Sequence, residues 1–387
     1  MATEAAQPVE TAPKESITTN GADAISADEV ALYDRQIRLW GMEAQSRMRS
    51  SHILLIGLTG LSAEVAKNLV LAGIGSLTIH STLPVIPTDL SSNFLITADH
   101  LGQNRAEASK PAIQALNPRV NVHTNTTPLS DLPNDFYKSF SVVIVTGETS
   151  KVLIEINKKT REAGVPFYAA ESYGLYGYVF SDLIKREFLI ERTKSNIATK
   201  LGPETKTRSI VAVKTKREGG EVKEFVTKEE KYEPLEEVLK AKVDSSWRGR
   251  KRRTVPLVLP GVKAAWRFRD AEGRVPEWKD QGEFTRLCTE EVEALELPKD
   301  MLTAGFISSF LEQMGMEIAP VTAVLGGVLA QDVINVLGKR EQPLQNFLVF
   351  DGETNAGTIL ALYPEKEEEE TTNGADVSRS DTVVLLD

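Results

Sequence analysis

Apolar residues along this chain recur with two periods, and the order of those periods predicts the fold. "HILLIG" (52–57) is a continuous apolar run closed by glycine, the pattern of a strand buried on both faces. In "LSAEVAKNLVLAG", Leu61, Val65 and Leu69 repeat every fourth position, which predicts a helix ended by Gly73. "SLTIH" reads as a second strand. "NRAEASKPAIQALNP" (104–118) reads as a helix despite Pro111, and "VNVHT" follows as a strand. "SVVIVTG" (141–147) predicts another buried strand, then a helix through Gly164, then the strand "PFYAA". Ser26 and Glu29 have the spacing of a capping box, so a helix begins near Ala27. Strands alternating with helices of this length predict an α/β fold with a mostly parallel sheet.

The pattern changes after about residue 180. Residues 195–235 are charged and rich in Gly, Thr and Lys, with little periodicity. "PLEEVLKAKV" and "EFTRLCTEEVEALEL" then read as helices. The apolar segment "APVTAVLGGVLAQDVINVLGK" (319–339) predicts a long buried helix, with "NFLVFDG" and "GTILALY" as closing strands. The expected organisation is a tail at 1–25, a first α/β part at 26–185, an inserted helical domain with a flexible lead-in at 186–315, a return of the α/β part at 316–364, and an acidic tail at 365–387.

Composition narrows the class of protein. The net charge of −10 resides in the tails: residues 1–30 carry six acids and one base, residues 365–387 eight acids and two bases, and the body is left near +1. Such tails are expected to be solvated and disordered. No secretory signal or membrane span is expected, because the N-terminus has no apolar core and no apolar run approaches about 18 residues. The single cysteine, Cys288, excludes a disulfide framework and a thiolate zinc site, and His52, His80, His100 and His123 lack ligand spacing. A nuclear or cytoplasmic location fits this cysteine usage. "RGRKRR" (248–253) is readable as an import signal, a nucleic-acid patch or a solvated loop; no further nucleic-acid signature accompanies it.

A strand, a glycine-rich turn and a helix together form a phosphate-binding arrangement, in which backbone N–H groups and the helix N-terminus face an anion. Here the turn is Gly57-Leu58-Thr59-Gly60-Leu61-Ser62. Of the dinucleotide pattern G-x-G-x-x-G only Gly57 remains, and the second strand ends in "HST" without a ribose-binding acid. A plain connection is the competing reading, and a nucleotide-binding oxidoreductase is the alternative these departures count against.

Taken together, "YDRQIRLWG" (33–41), "GLTGLSAEVAKNLVLAGIGSLTI", "NRAEAS", "ESYGLYGY", "PVTAVLGGVLAQDVI" and "FLVFDG" resemble the ThiF-like activating enzymes of ubiquitin-like modifiers, nearest to the smaller subunits of heterodimers that activate SUMO. The resemblance covers roughly 30–185 and 315–363. It implies a Rossmann-like, mostly parallel sheet and a role in adenylating a modifier's C-terminal glycine before thioester formation. It also implies that this chain has lost its own nucleotide site. Thr59 and Ser62 stand where active members have glycine beside Gly57 and Gly60, Ser81 where they have the ribose-binding aspartate, Ser92 where they have a phosphate-facing arginine, and Arg105 where they have lysine. The magnesium aspartate falls near Gly147-Glu148. The zinc cysteines and the catalytic cysteine have no counterpart. Polar phosphate contacts are each worth about 2–4 kcal/mol in a preorganised site, so their joint loss implies a chain inactive alone.

The partners implied are a catalytic subunit holding ATP, magnesium and the nucleophile, the modifier SUMO, and the downstream SUMO-conjugating enzyme; no cofactor, metal, membrane or nucleic acid is expected on this chain. The same subunit for another ubiquitin-like modifier, and a scaffold with no catalytic residue, remain alternatives. By resemblance, Arg35 of "YDRQ" reaches in trans to the partner's ATP; an ion pair with Asp34 is its bland alternative. Tyr33, Leu39 and Trp40 read as packing residues. Gly326-Gly327 inside the apolar helix permit close approach, either by this chain's own core or by a partner. Val383, Val384, Leu385 and Leu386, between Asp381 and Asp387, have the make-up of a SUMO-interacting strand or of a stray apolar terminus.

Overall fold

A computed structural model describes residues 26–218, 221–244, 246–364 and 384–385. Tail residues 1–25, and the acidic tail apart from Val384 and Leu385, lie outside the described residues. The chain opens with α1 (Ala27–Leu32), α2 (Asp34–Trp40) and α3 (Met42–Arg49). The predicted box caps α1: the Ser26 hydroxyl accepts from the Glu29 N–H at 3.2 Å, and the Glu29 carboxylate accepts from the Ser26 N–H at 3.1 Å. There follow β1 (His52–Ile56), α4 (Gly60–Ala72), β2 (Ser76–His80), α5 (Arg105–Leu116), β3 (Asn121–Asn125), β4 (Val142–Thr146), α6 (Ser150–Glu162), β5 (Phe167–Tyr173) and β6 (Tyr176–Asp182). Next come β7 (Lys185–Thr193), β8 (Gly202–Pro203), β9 (Arg208–Glu218), β10 (Glu221–Lys231), α7 (Leu235–Val238), α8 (Gly249–Arg252), α9 (Val258–Glu272), α10 (Gln281–Ala294), α11 (Ala304–Glu312) and α12 (Ala319–Gly338). The last elements are β11 (Phe347–Asp351), β12 (Ala356–Leu360) and β13 (Val384–Leu385).

The central sheet runs β12-β11-β6-β5-β4-β1-β2-β3. From β3 to β5 its strands are parallel; β6, β11 and β12 add antiparallel pairs. The run "HILLIG" is apolar throughout because β1 is covered on both faces. Ile53 and Leu55 join a core with α4 and α12, while Leu54 and Ile56 join a core with α6, α9 and α10.

Two expectations need correction. Residues 195–235 are not an irregular lead-in: β9 pairs antiparallel with β10, and β10 with β7, to form a second sheet. Its strands are charged on both faces and joined by cross-strand pairs, such as Arg192–Glu224 at 2.9 Å and Lys223–Glu191 at 2.6 Å, so apolar periodicity does not mark them. Nor do the helices after 235 form a separate core. Trp266 of α9 meets Tyr178 of β6 edge-on at 4.9 Å and lies 6.2 Å from Phe347 of β11. The segment read as an insertion supplies one covering layer of the central sheet.

Helix α12 is long and apolar enough to span a membrane by length and composition, but most of it is buried within the fold against α4. Gly326 makes that crossing possible: a Cβ there would sit 2.6 Å from Glu64 Cβ and 3.0 Å from the Leu61 carbonyl oxygen.

Candidate functional site

The glycine turn between β1 and α4 carries its own ligands. Thr59 and Ser62, the two residues that replace glycine, form a reciprocal cap. The Thr59 N–H donates to Ser62 Oγ at 2.6 Å, and the Ser62 N–H to Thr59 Oγ1 at 3.4 Å. The next two N–H groups of the helix end point at a carboxylate from far along the chain. Gly60 N–H donates to Glu317 Oε2 at 2.6 Å, and Leu61 N–H to Glu317 Oε1 at 3.2 Å. Ser92 Oγ donates to Oε2 at 3.0 Å and Ser172 Oγ to Oε1 at 3.3 Å. A negative group at a helix N-terminus is favoured by the free N–H groups and by the macrodipole, the same physics that holds phosphate.

The two glycines left in the turn are required by packing. Gly57 has φ +81°, and a Cβ there would lie 2.2 Å from the Thr146 carbonyl oxygen. A Cβ on Gly60 would lie 2.4 Å from Ser92 Oγ.

The remaining positions of the expected nucleotide site are also engaged. Ser81 Oγ accepts from the Leu83 N–H at 3.3 Å. Arg105 donates to the Pro84 carbonyl at 3.0 Å and pairs with Asp89 at 2.9 Å, both of its charged groups largely buried. Arg269 donates to the carbonyl oxygens of Gly147, at 2.7 Å, and Glu148, at 3.3 Å, and pairs with Glu171 at 3.2 Å. Burial pushes the Glu148 and Glu171 carboxyls above the usual carboxylate range, an effect Arg269 partly offsets. The cavity left among Gly57, Thr59, His80, Ser81, Arg105 and Gly147 measures about 50 Å³, room for a water or two rather than a nucleotide. Among the described residues, no group of three or more acidic, His or Cys side chains could hold a metal ion. Sequence reasoning missed Glu317. It is one acid ahead of an apolar helix, and nothing local marks the partner 257 residues away.

The lead-in segment is arranged differently. Tyr33 is buried; its hydroxyl accepts from Asn117 Nδ2 at 2.8 Å. Trp40 Nε1 donates to Gln45 at 2.9 Å. Leu39, expected to pack, is 78% exposed. Asp34 pairs with Arg38 at 2.9 Å, not with Arg35. Arg35 is exposed and, among the described residues, has no hydrogen-bond or ion-pair partner.

The other singled-out residues divide between core and surface. Cys288 is fully buried, and burial pushes its thiol far above the usual range. Within "RGRKRR", Arg252 pairs with Glu296 at 3.2 Å, Arg253 with Asp300 at 2.8 Å, and Lys251 lies over the Trp247 ring at 4.1 Å. Val384 and Leu385 pair in parallel with Lys214 and Thr215 of β9, while Val383 and Leu386 lie outside the described residues. On α12, Val324 and Val328 are exposed and a Cβ on Gly327 between them would meet nothing within 4 Å; Leu71 on α4 is exposed as well.

The sheet order, the glycine turn and the return helix define a class of protein, and similarity to known proteins gives it a name: the chain belongs to the ThiF family, whose model matches residues 33–372. A Xenopus laevis protein named SUMO-activating enzyme subunit 1 is 36% identical to it over 349 residues, 87% of this chain and 97% of that protein. The Homo sapiens protein of the same name is 35% identical over 349 residues, 88% and 97% of the two chains. The DNA damage tolerance protein RHC31 of Saccharomyces cerevisiae is 39% identical over 337 residues, 86% and 96% of the two.

Proposed function

We propose that this chain is the regulatory subunit of a heterodimeric SUMO-activating enzyme. In this reading the catalytic partner binds ATP and magnesium and carries the cysteine that accepts SUMO before transfer to the conjugating enzyme; this chain holds no cofactor and works in the nucleus and cytoplasm. The relatives' names supply the modifier. The observation that carries the division of labour is the filled anion hole at α4, whose N–H groups are already spent on Glu317. The buried Cys288 supports the same division, because a thiol held protonated is no nucleophile at neutral pH. The exposed stripe of Val324 and Val328 on α12 offers an apolar face of the kind a permanent partner covers.

Within the heterodimer, Arg35 acts in trans on the partner's nucleotide. Attack of a carboxylate on the α-phosphate builds charge on phosphate oxygens, and a guanidinium is a planar, permanently charged donor. Its lack of a partner among the described residues supports this role, since a committed arginine would have to break an ion pair first. The test is Arg35→Ala in the reconstituted heterodimer, read by ATP–pyrophosphate exchange and by gel filtration. Exchange falls while the dimer persists; unchanged exchange rejects the trans role.

The terminal strand is a second part of the reading. Val384 and Leu385 already pair with a sheet edge, the mode in which Val383 to Leu386 would bind SUMO. Titrating labelled SUMO with a 372–387 peptide tests it, and an absence of shifts along SUMO's sheet edge ends it.

A further inference from the structure

We propose that Glu317 is a built-in oxyanion: its carboxylate is the resident ligand of an anion hole that has kept its donors, and withdrawing it leaves a site for a free tetrahedral oxyanion such as phosphate or sulfate. The inference rests on the closed-pocket reading above and on neither the partner nor Arg35.

Both carboxylate oxygens of Glu317 are used, and each takes one backbone N–H and one serine hydroxyl. The serines are themselves buried, Ser92 at 8% and Ser172 at 4% exposure, so the hole is a shaped site and more than a bare helix end. Four donors converging on two oxygens are what a phosphate also requires. The small cavity on the other side of the turn holds a further unmatched polar group. His80, 2% exposed, lines it; its Nε2 lies 2.7 Å from the Thr127 carbonyl oxygen, and its Nδ1 has no partner among the described residues. With Nε2 as the donor to that carbonyl, Nδ1 is a buried acceptor left unmatched beside the turn. Glu317 is also poised for removal without loss of the helix cap, because Thr59 and Ser62 cap α4 independently of it.

The test uses the full chain alone. Wild type, Glu317→Ala and Glu317→Gln are melted with rising sulfate or phosphate at fixed ionic strength, with chloride as the reference salt. Glu317→Ala melts several degrees below wild type and recovers about half of that loss saturably with oxyanion, as a ligand that binds only the folded state requires. Wild type shifts no more than in chloride. Adding Ser92→Ala to Glu317→Ala abolishes the recovery. Should Glu317→Ala fail to fold, Glu317→Gln carries the test: its amide N–H₂ would face a backbone N–H and weaken the contact, so oxyanion stabilises it as well. Equal responses of wild type and variants, or no saturable response in either variant, overturn the proposal. Neither result bears on Arg35, so the two readings fail separately.

Discussion

The start of α4 and the face of α2 solve opposite problems. At α4 the chain satisfies the donors of the helix end itself, through Thr59, Ser62 and Glu317. On α2 a strong cation stands exposed with its neighbouring acid already paired to Arg38. One region is finished inwardly and the other is left for something outside. The difference teaches that a glycine turn at a helix end need not be an open hole. A buried N–H without a partner costs about 1–3 kcal/mol, so a helix end with no bound anion is stabilised by an acceptor from the chain itself.

The largest effect is expected at Arg35. Removing one preorganised donor to developing charge costs about 10²–10³ in rate. Arg35→Ala should show that loss in the reconstituted heterodimer. Arg35→Lys, which keeps charge but not the planar fork, should recover only part of it. Equal rates for alanine and wild type would make α2 as self-contained as α4.

Asp332 sharpens the inward side. It lies on the buried face of α12, accepting from Tyr168 Oη at 2.6 Å and from the Leu344 N–H at 2.8 Å. Burial raises its carboxyl to about 6, an effect the Tyr168 hydrogen bond opposes. A carboxyl whose folded value lies above its unfolded one stabilises most when protonated. Its contribution is greatest below about pH 4 and falls as pH rises toward 6, by up to about 3 kcal/mol. Asp332→Asn should therefore gain relative to wild type between pH 4 and 6 in urea unfolding; a difference constant with pH would remove Asp332 as the cause.

Gly326 and Gly327 repeat the comparison on adjacent residues. Gly326→Ala places a methyl against Glu64 and the Leu61 carbonyl and should destabilise the isolated chain by about 1–3 kcal/mol. Gly327→Ala meets open space and should stabilise the chain by about 0.5–1 kcal/mol through helix propensity. The same Gly327→Ala should weaken heterodimer formation if the stripe is the docking face. Stability of the chain and affinity for the partner, measured on both variants, separate the roles.

The smallest expected effect is at Cys288. The native thiol should resist alkylation by iodoacetamide at pH 7.5 and react only after unfolding, and any thioester formed by the heterodimer should be found on the partner. Rapid labelling of the native chain would contradict its burial.

Much of this was legible in one dimension because the chemistry there is local. The parallel strands announce themselves as apolar runs, since both faces of β1 and β4 are covered. The Ser26–Glu29 box is a matter of three residues. The replaced positions Thr59, Ser62, Ser81, Ser92 and Arg105 could be read as departures from a known pattern, but what they do instead could not. Thr59 and Ser62 are a cap for each other; Ser92 and Ser172 share a carboxylate brought by the return segment. Likewise β7, β9 and β10 hide because charged residues joined by cross-strand pairs occupy both of their faces, which leaves no clear apolar period. Contacts between distant residues, and not propensity, decide those places.

The distance between Gly60 and Glu317 has a further consequence, for the order of assembly. The turn emerges early in synthesis, whereas the acid that completes it emerges 257 residues later. At the bacterial-to-eukaryotic range of about 5–20 residues per second, that is a delay of tens of seconds. Until then no Glu317 exists to meet the Gly60 and Leu61 N–H groups, and the packing of α12 on α4 both buries the apolar seam and brings that carboxylate to them. Docking of the return helix and capping of α4 by Glu317 are thereby coupled in one chain.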